Sequence, residues 1–252
     1  PYRGCSFGGA LCGVGCYVRA SPWVVRGELW GGFLEARTNA AERYREQAPR
    51  ERRWARRARG GFGVFLSSST DPFVPQERRL GVTRRVLEAM CDEPPDELVV
   101  QTHTARVTDY LDLYPRLAQA SRVRFHLSIE SDRDRLPGLP PPASSVEDRL
   151  AAAAALRAAG LCVVVAVPPP LPIAHPERFF ARLAAVLSFT HCENAFLNSA
   201  DEAKAAAELA RRHAEASMER DPLDPLCNLV MGRVSWLRGD LEASLPWLDR
   251  AI

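Results

Sequence analysis

The sequence predicts an α/β fold, with short strands alternating with helices up to about residue 187 and an all-helical end beyond. Three observations predict it. Apolar runs of strand length alternate with stretches of helical period, the pattern of βαβ units around a parallel sheet. The strand-like runs 63–67, 97–102, 123–129 and 161–167 each lead into a polar or proline-rich stretch, where parallel α/β folds place their chemistry. From 199 to 252 no strand-like run occurs.

Residues 1–39 read as loop-rich. Residues 40–59 have helical composition, broken or kinked at Pro49. Gly63-Val-Phe-Leu-Ser67 is a short apolar strand followed by the polar turn 68–72. Residues 77–91 place Leu80, Val86, Leu87 and Met90 on one helical stripe. The run 97–102 reads as a buried strand, 108–120 as a helix, and 123–129 as a strand with Val123, Phe125, Leu127 and Ile129 on one face. An alanine-rich helix over 145–159 closes at Gly160. Leu161-Cys-Val-Val-Val-Ala-Val167 is the strongest strand, ended by three prolines, and a helix over 175–187 follows. One further strand is expected before Pro1 and one after 187, because the chain starts without methionine and stops inside a helical pattern and so reads as a fragment.

The domains expected are therefore 1–187, a junction at 188–198, and a helical segment at 199–252. In that segment a helix, a Gly239-Asp240 turn and a second helix, with small residues at Gly232, Ser244 and Ala251 around Leu248, have the spacing of a tetratricopeptide (TPR) repeat over about 222–252. One repeat cannot bury its own apolar face, so a protein partner is expected there.

Composition narrows the classes. Hydrophobic residues at 46% and charged residues at 25% permit an ordinary core, and a net charge of +2 favours no class of partner. Seven cysteines, clustered only at the start, are no disulfide framework and suit a reducing, cytoplasmic setting. No apolar run reaches the ~18 residues of a membrane helix, and no signal peptide precedes the cysteines.

The chemistry centres on Cys5-Ser-Phe-Gly-Gly-Ala-Leu-Cys12-Gly-Val-Gly-Cys16-Tyr17. Three cysteines interleaved with Gly8, Gly9, Gly13 and Gly15 read as a loop whose glycines can take positive φ and let the backbone fold tightly around something. Three converging thiolates are a metal-ligand arrangement. On a four-iron cluster they leave one iron open to a small molecule. Three buried cysteines without metal, or a zinc site, which has no fourth His or Cys at short spacing, are the alternatives.

Pro1-Tyr-Arg-Gly-Cys5-Ser, the two further cysteines, Tyr17 directly after the last, and Ser69-Thr-Asp-Pro-Phe-Val-Pro-Gln-Glu77-Arg-Arg-Leu-Gly-Val-Thr-Arg84 together resemble the radical S-adenosylmethionine (radical SAM) family. The similarity covers about 1–185 and is nearest to the spore photoproduct lyase-like, or DNA repair photolyase-like, members. The resemblance implies a partial (β/α) barrel and a [4Fe–4S] cluster on Cys5, Cys12 and Cys16. It also implies S-adenosylmethionine (SAM) on the open iron, reductive cleavage to a 5′-deoxyadenosyl radical, and a reductant such as flavodoxin or ferredoxin.

By the same resemblance Ser69, Thr70 and Asp71 meet the methionyl or ribose groups. Thr102, His103 and Thr104 stand where relatives often carry Thr-Lys-Ser. Ser128 and Glu130 bind ribose, and Tyr17 offers its backbone to the adenine. The spacing here, C-x6-C-x3-C, departs from the family's C-x3-C-x2-C. The eight arginines of 43–59 form a basic run that would contact the phosphates of a nucleic-acid substrate or serve as a solvated helix face. The runner-up reading is a TPR-type interaction protein with a non-catalytic N-terminal half.

Overall fold

A computed structural model describes residues 1–66, 69–167 and 171–186. All of them lie in the first of the two units into which the chain divides, Pro1–His191. The expected junction at 188–198 and the TPR-like segment at 199–252 fall outside the described residues.

The chain opens with β1 (Tyr2–Gly4), followed by the cysteine segment, which contains the short helix α1 (Leu11–Val14), a 3-10 turn at Tyr17–Ala20 and the helix α2 (Pro22–Val25). β2 (Leu34–Ala36) returns antiparallel to β1, pairing Tyr2 with Ala36 and Gly4 with Leu34. The sequence reads as loop-rich over 1–39, without these strands. Strands of three residues carry too little alternation to register, and this pair is held partly by Arg3, which ion-pairs with Glu35 and donates to the Val24 carbonyl at 2.6 Å.

α3 (Ala40–Arg59) is one continuous helix that contains Pro49, so of the expected break or kink the break does not occur. Ala41, Ala48 and Ala55, spaced by sevens, are buried along it, and Tyr44 donates to the Glu93 carbonyl at 2.8 Å. That packing outweighs the one hydrogen bond a proline removes.

The main sheet has β3 (Gly63–Leu66), β4 (Glu97–Thr102), β5 (Arg122–Ser128) and β6 (Cys162–Ala166), all parallel and adjacent in chain order. The crossovers carry α4 (Glu77–Leu80) and α5 (Val82–Asp92), then a 3-10 turn at Ala105–Tyr110 with α6 (Tyr114–Ala120), then α7 (Val146–Ala158); α8 (Pro176–Val186) follows β6. The expected helix over 77–91 is thus two, because Gly81 adopts the left-handed conformation at φ 57° and sends the second helix off on a new axis. The helix expected over 108–120 begins as the 3-10 turn, capped by Thr104, whose hydroxyl accepts from the Arg106 amide.

Burial alternates along the strands. Leu98, Val100 and Thr102 on β4 and Val123, Phe125 and Leu127 on β5 are buried on one face, beneath Leu87 and Met90 of α5, Leu117 of α6 and Leu156 of α7. On the opposite face Phe65 is half exposed and Gln101 partly so. The fold is mixed α/β on a four-stranded parallel sheet, with its helices against one face among the described residues. No helix of the described residues is long and apolar enough to cross a membrane. Cys162, at the start of β6, is disulfide-bonded, which the reading of the cysteines as no disulfide framework did not anticipate.

Candidate functional site

The cysteine segment is laced to the rim of the sheet by the stretch that follows β3. The Thr70 hydroxyl donates to the Gly4 carbonyl at 2.7 Å, Ser6 donates to Gln76 Oε1 at 2.7 Å, and the Tyr2 phenol donates to Glu77. Glu77 is buried and also accepts from the Tyr110 phenol at 2.5 Å and from the Thr83 and Arg84 amides at 3.0 and 3.1 Å. Its two oxygens therefore take four donors, among them two of the orphan amides at the start of α5. Phe73 and Val74, in the same stretch, are fully buried. On the far side the Leu11 amide donates to the Pro141 carbonyl at 2.9 Å.

The glycines of the segment act by absence of bulk, not by positive φ. Gly8, Gly9, Gly13 and Gly15 are not among the glycines with left-handed backbone. A Cβ on Gly8 would stand 2.3 Å from Gly31 Cα, and one on Gly13 would stand 2.2 Å from the Gly8 carbonyl oxygen. These backbones lie in direct contact, whereas Gly9 and Gly15 face open space.

Cys5 follows β1, Cys12 lies in α1, and Cys16 directly precedes the Tyr17–Ala20 turn. All three line one cavity of about 240 Å³ at the C-terminal ends of β3 and β4. Tyr17, Ser69, Thr70 and Asp71, expected as cofactor contacts, line it too, with Trp30, Phe65, Gln101 and His103. Among the described residues no arginine or lysine lines it. Burial pushes the Cys5 thiol up, and burial followed by the nearby Asp71 and Cys5 charges pushes Cys12 up to about 12. A low-dielectric, electronegative pocket disfavours a free thiolate. The described residues form no group of three or more His, Cys, Asp or Glu already gathered at metal-holding distance. The donor set still fits a soft metal centre: three sulfurs on a short segment facing one cavity that supplies no positive charge of its own.

The sheet side of the cavity is built differently. Asp71 is buried, and its carboxylate accepts from Thr102 Oγ1 at 2.8 and 3.0 Å, from the His103 amide at 2.9 Å and from the Phe73 amide at 2.9 Å. Burial pushes its pKa up, against the pull of those donors. His103 Nδ1 lies 2.8 Å from Glu130 Oε1, and Glu130 Oε2 lies 2.7 Å from Arg149 Nη1, which also donates to the Ser128 carbonyl at 2.6 Å. Arg149, on α7, is 2% exposed. Burial alone would raise the Glu130 pKa, but the His103 bond and the Arg149 charge prevail and bring it down to about 2.

The residues expected at the site thus divide. Cys5, Cys12, Cys16, Tyr17, Ser69, Thr70 and Asp71 share the cavity. Thr102, Ser128 and Glu130 are buried behind it, with Thr102 and Glu130 holding Asp71 and His103 in place. The Ser128 hydroxyl is buried without a partner among the described residues. Sequence reading missed Arg149, Gln101 and Trp30. Only Arg149 left a signal, a charge on the Val146–Leu150–Ala153 stripe of an otherwise alanine-rich helix.

The basic run on α3 divides likewise. Arg45, Arg52 and Arg56 bridge to Asp92, Glu93 and Asp96. Arg53 and Arg57 flank Trp54 in a shallow surface groove. Comparison of the chain with protein-family models, with curated proteins and with solved structures found no match.

Proposed function

We propose that this chain is a radical SAM enzyme of the spore photoproduct lyase-like group, with its four parallel strands part of a partial (β/α) barrel. The observation that carries the reading is that all three cysteines of the C-x6-C-x3-C segment open on one cavity at the rim of that sheet, together with Ser69, Thr70 and Asp71. Cys5, Cys12 and Cys16 would hold the [4Fe–4S] cluster. When bound, the cluster supplies the electron that cleaves the sulfonium bond of SAM to methionine and a 5′-deoxyadenosyl radical, which takes a hydrogen atom from substrate. The chain's own part is to bind, orient and shield. Ser69 offers a hydroxyl beside the cysteines, Thr70 ties their segment to the rim through the Gly4 carbonyl and keeps only acceptor capacity toward the cavity, Asp71 fixes the backbone at His103, and Trp30 and Phe65 supply apolar wall. Through the resemblance the substrate is a DNA lesion, with Arg53 and Arg57 as phosphate contacts, and the electron comes from a flavodoxin- or ferredoxin-like donor.

Anaerobic reconstitution with iron and sulfide tests the reading. It should give a brown protein with thiolate-to-iron charge-transfer absorption that Cys5→Ala, Cys12→Ala and Cys16→Ala each abolish. The reduced protein should then convert SAM to 5′-deoxyadenosine. A protein that stays colourless, and captures a peptide partner through residues 199–252, would instead make it an interaction protein with a non-catalytic N-terminal half. Salt-dependent DNA binding lost in Arg53→Gln/Arg57→Gln would support the substrate class.

A further inference from the structure

The feature the proposed chemistry leaves unused is the buried chain behind His103. Burying an ion pair costs several kcal/mol per ion before the attraction is counted, and Glu130–Arg149 is almost wholly inside the protein. Its geometry acts on one exposed consequence, the His103 ring. Arg149 holds Glu130 as a carboxylate, which only accepts hydrogen bonds, so the contact at 2.8 Å requires Nδ1 of His103 to carry the proton. Nε2 is left as the ring's other polar atom, on a residue that lines the cysteine cavity. Asp71 fixes the same residue from behind, through its backbone amide at 2.9 Å. An imidazole tied through one nitrogen to a buried carboxylate, with the other nitrogen free for a cation, is the arrangement found behind histidines that ligate metals.

We infer that His103 Nε2 is a fourth protein ligand to the metal centre held by Cys5, Cys12 and Cys16, closing a three-sulfur, one-nitrogen set. The inference rests on the cysteines binding the cluster proposed above. Sequence spacing hides this ligand, because the fourth donor comes from the end of β4 and lies 87 positions after Cys16. A neutral imidazole is the weakest of the four donors electrostatically. It is therefore the one that the amine and carboxylate of an incoming cofactor would displace, so the centre is capped when that cofactor is away.

The test uses the full chain labelled with 15N-histidine, reconstituted anaerobically and reduced, and read by iron and sulfide content and by pulsed EPR. The expected result is a strongly coupled nitrogen that persists in His126→Gln and His175→Gln and disappears in His103→Gln and His103→Cys. Cluster loading is expected to remain in His103→Cys, which keeps four protein ligands, and its reduction potential should fall as nitrogen is replaced by thiolate. A loaded cluster without the coupling, or a coupling that survives both His103 substitutions, overturns the inference and leaves the cysteine reading standing. A wild-type chain that loads no cluster overturns both.

Discussion

The two walls of the cavity are built on opposite principles. The sheet wall, from Asp71 through Thr102 and His103 to Glu130 and Arg149, is a connected set of buried polar groups in which most donors and acceptors have partners. The loop wall is held by backbone contact at Gly8, Gly13 and Gly31 and by the anchors at Thr70, Gln76 and Glu77, while its sulfurs meet backbone alone among the described partners: Cys5 beside the Phe7 and Asp71 backbone, and Cys12 Sγ 4.0 Å from the Phe7 carbonyl. Satisfied polar networks rigidify and specify a structure, whereas weak sulfur contacts to backbone constrain the thiols less. The difference teaches that side-chain hydrogen bonds fix the position of His103, while the cysteines are positioned by the backbone packing of their segment; under the proposed function, cluster binding would complete their arrangement. Metal binding commonly completes a site in this way.

The comparison can be broken first at the sheet wall. Arg149→Leu leaves Glu130 buried without its cation and should cost about 3–5 kcal/mol in urea unfolding. Arg149→Leu combined with Glu130→Leu should recover part of that loss. A single substitution without effect would mean that the network is ornamental. Next comes pH. The folded-state pKa of Glu130 lies below its ordinary value, so its contribution is full above about pH 4.5 and is lost as pH falls toward about 2. Over that window the wild type should lose on the order of 3 kcal/mol, and Glu130→Gln, weaker at neutral pH, should show a flatter profile in acid.

At the loop wall, Gly8→Ala forces a Cβ onto the Gly31 backbone and should cost about 1–3 kcal/mol and weaken loading of the proposed cluster, while Gly9→Ala meets nothing and should leave both unchanged. The floor is set by a pair outside the cavity. Arg43→Ala removes an exposed ion pair with Glu46 and should change stability by no more than about 0.5 kcal/mol.

Much of the sheet was legible because β3 to β6 are apolar runs bounded by turns, and a strand of that kind announces itself locally. The break at Gly81 was not. Val86, Leu87 and Met90 continue the apolar stripe that Leu80 begins, and only the left-handed backbone at Gly81 reveals two helices. The antiparallel pair β1–β2 escaped because Arg3 and Glu35 stabilise it across 32 positions. At the cavity, the cysteines and Ser69 to Asp71 could be singled out from residue type and order. Arg149 left only its place on the apolar stripe of an alanine-rich helix, and the partner that gives that charge its meaning, Glu130, lies 19 residues earlier on another element.

Glu77 shows what such long-range pairing does to the order in which the molecule comes apart. One carboxylate joins the N-terminal ribbon through Tyr2, the start of α5 through the Thr83 and Arg84 amides, and the turn after β4 through Tyr110. In native-state hydrogen exchange the Thr83 and Arg84 amides should therefore open together with those of β1, as one cooperative unit. Glu77→Gln, which keeps the shape but turns one acceptor into a donor, should uncouple them and speed exchange at both.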